Sequence, residues 1–345
     1  MSMKTRAFEK LSGWRLGVFT LLLLTGCGPK STPAPAPRAI GGHDSQWPAK
    51  PRTGQVFTLK EIDLDLQPIP AGTFRMGSPL DEPGQSAAEG PWTWVKISQP
   101  FWLGRTPVTH SQWRAIMGTD LATQARKAFP GDDQPAKFLT GTDDAVAMQL
   151  VSWHDAMAFC AKLNAQAQAA GTLPAGYEYT LPTEAQWEYA CRAGTTEATY
   201  AGPLVVLAER NAPVLDDIAW YAGNSSVGYR GSGWNTQDWV GKQYPGGRAG
   251  PRQVGLKQPN AWGLCDMLGN VYQWCRDYSA DALPGGTVTD PSGPASGVER
   301  ILRGGSWHSG PTNCRAAYRA WSVPDDRSLF TGFRVALAPK LNRGG

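Results

Sequence analysis

Side chains able to do chemistry gather in one stretch of the chain, Pro259 to Asp277. Asp266, Asn270, Gln273 and Asp277 present oxygen atoms at short intervals. Trp262, Leu264, Met267, Leu268, Val271 and Trp274 sit among them as core anchors, and Gly263 and Gly269 permit backbone angles a side chain would forbid. This mixture suits a rigid, irregular loop better than a regular helix or strand. Its backbone must be tied by side chains or by an ion held on oxygen. A second stretch, Leu181 to Arg192, carries Glu184 and Glu188 one helical turn apart. They resemble a catalytic carboxylate pair, but the favoured reading is structural: Glu184 at a helix N-terminus and Glu188 paired with Arg192 at i+4.

Other chemistries find little support. The four histidines, His43, His110, His154 and His308, are scattered, and no C-x-x-C pair exists, so the pattern favours neither zinc nor iron. No glycine cluster has the strand–Gly–helix context of a phosphate loop. The formal charge of +4 is concentrated at the start: Lys4, Arg6, Lys10 and Arg15 against Glu9 give +3, leaving +1 for the rest. There is no electrostatic case for a nucleic-acid partner.

The basic start is followed by the apolar run Leu16–Leu24, too short to span a bilayer permanently. It ends in Leu24-Thr25-Gly26-Cys27, which resembles the bacterial lipobox. Residues 1–26 are therefore expected to be a lipoprotein signal peptide and Cys27 the lipidated residue; the alternative is a plain cleaved signal with a chance cysteine. Gly28 rather than Asp leans towards the outer membrane by the enterobacterial sorting pattern. Residues 27–54, with Pro33-Ala-Pro-Ala-Pro37, read as an extended tether. The expected localisation is the bacterial cell envelope, with the membrane as a partner through Cys27.

The folded domain is expected over 55–341. Alternation predicts strands at 57–66, 69–78, 92–98 and 101–103, and core strands at 177–180, 300–307 and 332–337. Helices are predicted for His110–Met117 (cap Thr109, stop Gly118), from Ser152 to about Ala169, and after Thr183. Residues 119–147, 195–258 and 279–299 read as loops or irregular structure. The segment 308–331, polar, aromatic and rich in turns between two anchored strands, is a natural place for a binding surface. Removing Cys27 leaves Cys160, Cys191, Cys265, Cys275 and Cys314, an odd number.

Seven motifs in order then resemble one family. They are Phe74-Arg-Met-Gly-Ser78, Pro107-Val-Thr109, Val151-Ser-Trp-His-Asp-Ala156, Leu181-Pro-Thr-Glu-Ala-Gln-Trp-Glu-Tyr-Ala190, Asn260 through Val271, Arg303-Gly-Gly-Ser-Trp307 and Gly332-Phe-Arg334. Together they resemble the formylglycine-generating enzyme, or sulfatase-modifying-factor, family. The resemblance implies an α+β, loop-rich variant of the C-type-lectin-like fold. Oxidase members use two cysteines shortly after Gly-Gly-Ser to bind copper and oxidise a sulfatase cysteine to formylglycine. Counted from Ser306, the first falls on Ser309, and the chain is shortened where the second belongs. Copper is therefore not expected.

The resemblance also implies a Cys191–Cys314 disulfide. It implies calcium on Asp266, the carbonyls of Gly269 and Val271, and Gln273, although the usual acidic last ligand is Gln here; a metal-free loop is the alternative. The expected function is a non-oxidase envelope lipoprotein that binds a protein or other ligand through the 306–331 surface. Trp307, His308, Arg315, Tyr318, Arg319 and Trp321 are its expected contact residues. In some lectin-fold proteins of this family type this segment holds the variable residues of a diversified region. The alternative is a protein-modifying enzyme, such as a sulfatase-maturation factor, with a divergent active site.

Overall fold

The computed structural model describes residues 52–134, 139–230 and 232–341. The signal segment, Cys27 and nearly all of the tether lie outside them. No helix among the described residues is long and apolar enough to cross a membrane.

The strands expected at 69–78, 92–98 and 101–103 form as β3 (Gly72–Met76), β4 (Thr93–Ile97) and β5 (Phe101–Gly104), whereas the single strand expected over 57–66 turns at Lys60–Ile62 and folds as the antiparallel pair β1 (Phe57–Leu59) and β2 (Leu64–Ile69). Then follow β6 (Tyr177–Thr180), β7 (Ala219–Trp220), β8 (Trp234–Asn235), β9 (Arg248–Ala249) and β10 (Leu268–Gly269). The last six are β11 (Tyr272–Tyr278), β12 (Gly286–Thr289), β13 (Arg300–Arg303), β14 (Arg319–Ser322), β15 (Thr331–Gly332) and β16 (Ala336–Pro339). Among the described residues four α-helices accompany them: α1 (His110–Met117), α2 (Leu121–Ala128), α3 (Trp153–Ala169) and α4 (Glu184–Arg192). Thr109, Ser152 and Thr183 each form a complete capping box, so the three predicted helices begin where their caps place them.

Other readings change: β7, β8 and β9 fall inside the expected irregular 195–258 segment, the strand expected over 300–307 ends at Arg303, and 332–337 is divided between β15 and β16. Part of 119–147 is helical: Asp120 caps α2 by accepting from Thr123 N. β12 lies inside the expected 279–299 loop, paired parallel to β4 from a distant part of the chain. The second half of the central stretch is the seven-residue β11, sheltered between β13 and β15. Local sequence underrated it because its polar residues serve buried partners rather than solvent.

One sheet has the order β1-β2-β5-β16-β6, so the domain's last strand is held between an early and a middle one. A second runs β14-β13-β11-β15, and a third β12-β4-β3. One apolar cluster joins α4 to the central stretch through Trp187, Met267, Leu268 and Cys275. The other packs α1 and α3 against the first sheet through Trp113, Phe159, Phe333 and Val335. The central loop is thus clamped from both sides.

Candidate functional site

Asp266 and Asn270 adopt left-handed φ of 53° and 60°, and Gly269 one of 73°. Non-glycine residues rarely hold this conformation without compensation. At Gly269 a Cβ would lie 2.3 Å from the Trp220 carbonyl, so only glycine fits. The compensation is a dense set of hydrogen bonds. Asp266 Oδ2 accepts from Gly255 N (2.6 Å), and Oδ1 accepts from Asn270 Nδ2 (3.3 Å). Asn270 also exchanges two bonds with the backbone of Arg252. Asn260 donates to the carbonyls of Ala190 and Cys191, fastening the loop to the end of α4.

Arg334 occupies the middle of this loop. Its guanidinium donates to Gln273 Oε1 (2.8 Å), Gly104 O (2.5 Å), Cys265 O (2.8 Å) and Asp266 O (3.1 Å). Gln273 Oε1 also accepts from Trp187 Nε1 (2.8 Å), and its amide donates to Asp266 O (2.8 Å). These residues do not fit the calcium expected on Asp266, Gly269, Val271 and Gln273. The Gln273 oxygen has two donors, the single carboxylate is engaged at both oxygens, and a cation is already among the acceptors. A divalent ion needs several free oxygens and usually more than one carboxylate. Burial lowers the Arg334 pKa to about 10, against the attraction of Asp266, so the side chain is charged at neutral pH. Burial likewise raises the Asp266 carboxyl above its ordinary value. Gln273 suits this place because its oxygen accepts from Arg334 and Trp187 while its amide donates to Asp266 O, which an ionised acid could not do.

The family's thiol position lies on the other side of β11. Ser309 Oγ is 3.1 Å from Ser306 Oγ, accepts from Ser306 N (3.0 Å) and donates to the Tyr272 hydroxyl (3.2 Å). Asn313 Nδ2 reaches the same hydroxyl at 3.5 Å. Burial holds the Tyr272 phenol well above its ordinary pKa, so it stays neutral. Ser309 is 7% exposed and Ser306 1%. No imidazole or carboxylate among the hydrogen-bond partners of either serine would take its proton, so this is a closed hydroxyl cluster rather than an activated nucleophile.

The cysteines cannot substitute. Cys160, Cys191, Cys265, Cys275 and Cys314 are all buried free thiols. Cys191 and Cys314, expected as a bridge, are therefore not joined in this structure. The Cys314 sulfur instead faces the Gly269 and Ser306 amides, and burial pushes its pKa up to about 12, as it does for Cys191. A thiolate ligand pair for copper has no counterpart here.

The expected contact surface is corrected most. Trp307 is fully buried and donates to Leu329 O. Arg315 is fully buried, binding Glu82 and both oxygens of Glu89. Arg319 is 5% exposed and forms a two-pronged pair with Glu184 at 2.6 and 2.9 Å. The physical reason is charge: Glu82, Glu89, Glu184 and Glu188 are buried, and carboxylates in the interior need cationic partners. Arg303 serves Glu188 together with Arg192, which lies 2.9 Å away as the i+4 spacing predicts. His308 and Tyr318 are half-buried, and Trp321 remains 38% exposed. His308 is ringed by Trp234, Trp239, Trp307 and Phe330 at centroid distances of 4.7–5.8 Å. Burial and Arg210 lower its pKa to about 4, so it is neutral at physiological pH.

Sequence reasoning missed Arg334 as the resident cation, Tyr272 as the partner of Ser309, and Glu82 and Glu89 as buried acids. The Gln at 273 was the available signal for the first. The other partners lie far apart in the chain, with no local pattern to reveal them.

Comparison with known proteins accounts for the arrangement. The family described as "Sulfatase-modifying factor enzyme 1-like domain" matches residues 65–339. The formylglycine-generating enzyme of Thermomonospora curvata is 29% identical over 323 residues, spanning 81% of this chain and 95% of that protein. Chaperone protein LppX of Paenibacillus barcinonensis is 26% identical over 245 residues, spanning 63% of this chain and 73% of that protein. The solved structure of Treponema denticola variable protein 1 superposes with a TM-score of 0.61 at 25% identity, covering 83% of this chain and 99% of that one. The fold is the α+β, C-type-lectin-like fold of these relatives, and the chain belongs to the sulfatase-modifying factor enzyme 1-like family.

Proposed function

We propose that this protein is a non-oxidase member of its family, a lipid-anchored envelope protein that binds a protein partner rather than oxidising one. The observation that carries the reading is the closed Ser306–Ser309–Tyr272 hydroxyl cluster where oxidase members have thiols. With every described cysteine buried, neither a thiolate ligand pair nor a reactive thiol is available. The name of one relative, a chaperone, supports a partner-binding role.

The contact surface is redrawn around β14, the terminal strand of its sheet. Trp321 at 38% and Val323 at 51% exposure offer apolar anchors, and an outer strand can accept an added one. Arg319, on the same strand, is held from within by its pair with Glu184. The test is a crosslinked capture of the lipidated protein from its own envelope, beside the double variant Trp321→Ala/Val323→Asp. Loss of one captured protein in the folded variant supports the reading. An unchanged capture profile overturns this surface.

A further inference from the structure

A cavity of about 460 Å³ lies apart from the Ser306 cluster, between the start of α4, the inner face of the β12-β4-β3 sheet and the 280–294 loop. Its volume is in the range of small-molecule sites, about 300–1,000 Å³. Met76, Val95, Leu283, Val288 and Pro291 give it apolar walls, and Asp277 supplies a carboxyl.

Asp277 is 4% exposed. Its Oδ2 accepts one hydrogen bond, from Glu184 N at 2.9 Å. Among the described residues Oδ1 has no hydrogen-bond partner. The nearby cation is already committed: Arg319, which also lines the cavity, spends its guanidinium on Glu184 and on the carbonyls of Ala88 and Ala280. Glu184 is thus served by Arg319 and, at 3.5 Å, by Arg303 Nε, whereas Asp277 forms no ion pair among the described residues and lies beside an apolar void. A buried carboxyl oxygen without a partner is costly, so Asp277 Oδ1 is left open to a donor carried by a ligand.

We infer that this cavity is a binding site for a small amine with an apolar body, its ammonium group hydrogen-bonded to Asp277 Oδ1 and its hydrocarbon part against Met76, Val95 and Leu283. A carboxylate ligand would meet Glu184 and Asp277 as like charges, and an alcohol would offer Asp277 only a neutral donor.

Binding should strengthen as pH rises. Burial first, then Glu184, lift Asp277 to about 7, against the Glu184 N–H, Arg319 and Arg276. Arg300 on β13 also feels its charge. Below that pH the ammonium must displace a proton. Between pH 8 and pH 6 the affinity for an amine falls about tenfold.

The experiment is calorimetric titration of the whole mature protein with benzylamine, beside benzyl alcohol and benzoate. Benzylamine should bind one to one at pH 8, at least tenfold more tightly than either analogue. Asp277→Asn, which keeps an acceptor for Glu184 N, should weaken it at least tenfold. Ala282→Trp, at an exposed position on the cavity wall, should do the same without touching the charge. If Asp277→Asn does not fold, the amine-to-alcohol ratio, the pH dependence and Ala282→Trp decide. Equal binding of amine and alcohol, a pH-independent affinity, unchanged binding in a folded variant, or no binding of benzylamine at millimolar concentration would each overturn the inference.

Discussion

Replacing Arg334 with Met tests whether an internal guanidinium holds the central loop. The side chain is fully buried and donates to four acceptors: Gln273 Oε1 and the carbonyls of Gly104, Cys265 and Asp266. Met keeps much of the volume but none of the donors. Each orphaned acceptor costs about 1–3 kcal/mol, less where the loop relaxes to share bonds. With the loop relaxing to share bonds among these four acceptors, the total loss is about 3–5 kcal/mol. For a domain approaching 300 residues the unfolding entropy is roughly 0.6 kcal/mol per kelvin, so Tm should fall by about 5–8 °C. Arg334→Lys, which keeps the charge without the planar fork, should fall between. The assay is thermal unfolding by circular dichroism, with and without excess calcium or chelator. Native protein should be indifferent to both additions. A Tm loss under about 2 °C in Arg334→Met, or a chelator-induced drop in the native protein, would refute the reasoning.

Other outcomes follow from the same geometry. Trp307→Ala, at a fully buried site, should cost about 3–5 kcal/mol in denaturant unfolding, whereas Trp321→Ala at the surface should cost under about 1 kcal/mol. Comparable losses would mean that the two side chains are misplaced. Asp277 has a folded pKa raised to about 7 from an ordinary 3.8, so the folded state holds the extra proton between those values. Its contribution to stability therefore falls as pH rises from about 4 to 7, by up to about 1.4 kcal/mol per unit. Asp277→Asn should flatten that slope in a pH series of denaturant curves; an unchanged slope contradicts the assignment. Glu184→Gln weakens both prongs of the Arg319 pair and should destabilise by about 3–5 kcal/mol, read by the same unfolding assay. An effect under about 1 kcal/mol would place the pair at a solvated surface.

The sequence revealed most where information is local. Thr109, Ser152 and Thr183, each with its partner three residues on, marked the starts of α1, α3 and α4. The Glu188–Arg192 spacing foretold an ion pair that the structure contains. What stayed hidden depends on distant partners. Arg315 reads as a surface contact until Glu82 and Glu89, more than two hundred residues away, are seen around it. Gln273 reads as a weakened metal ligand until Arg334 arrives from the penultimate core segment. The seven ordered motifs identified the fold because they mark where such long-range contacts are made, although no single motif states its partner.

The central claim is that the Ser306–Ser309–Tyr272 cluster does no thiol-based oxidation. The most direct measurement incubates the purified protein with copper(I), oxygen and a cysteine-containing sulfatase peptide, followed by mass spectrometry for the aldehyde and by copper titration. The account predicts no formylglycine and no tight copper(I) binding, because Ser309 offers no thiolate and Cys314 is held protonated by burial. Aldehyde formed in a catalytic amount, or tight copper binding that is lost in Cys314→Ser, would contradict it.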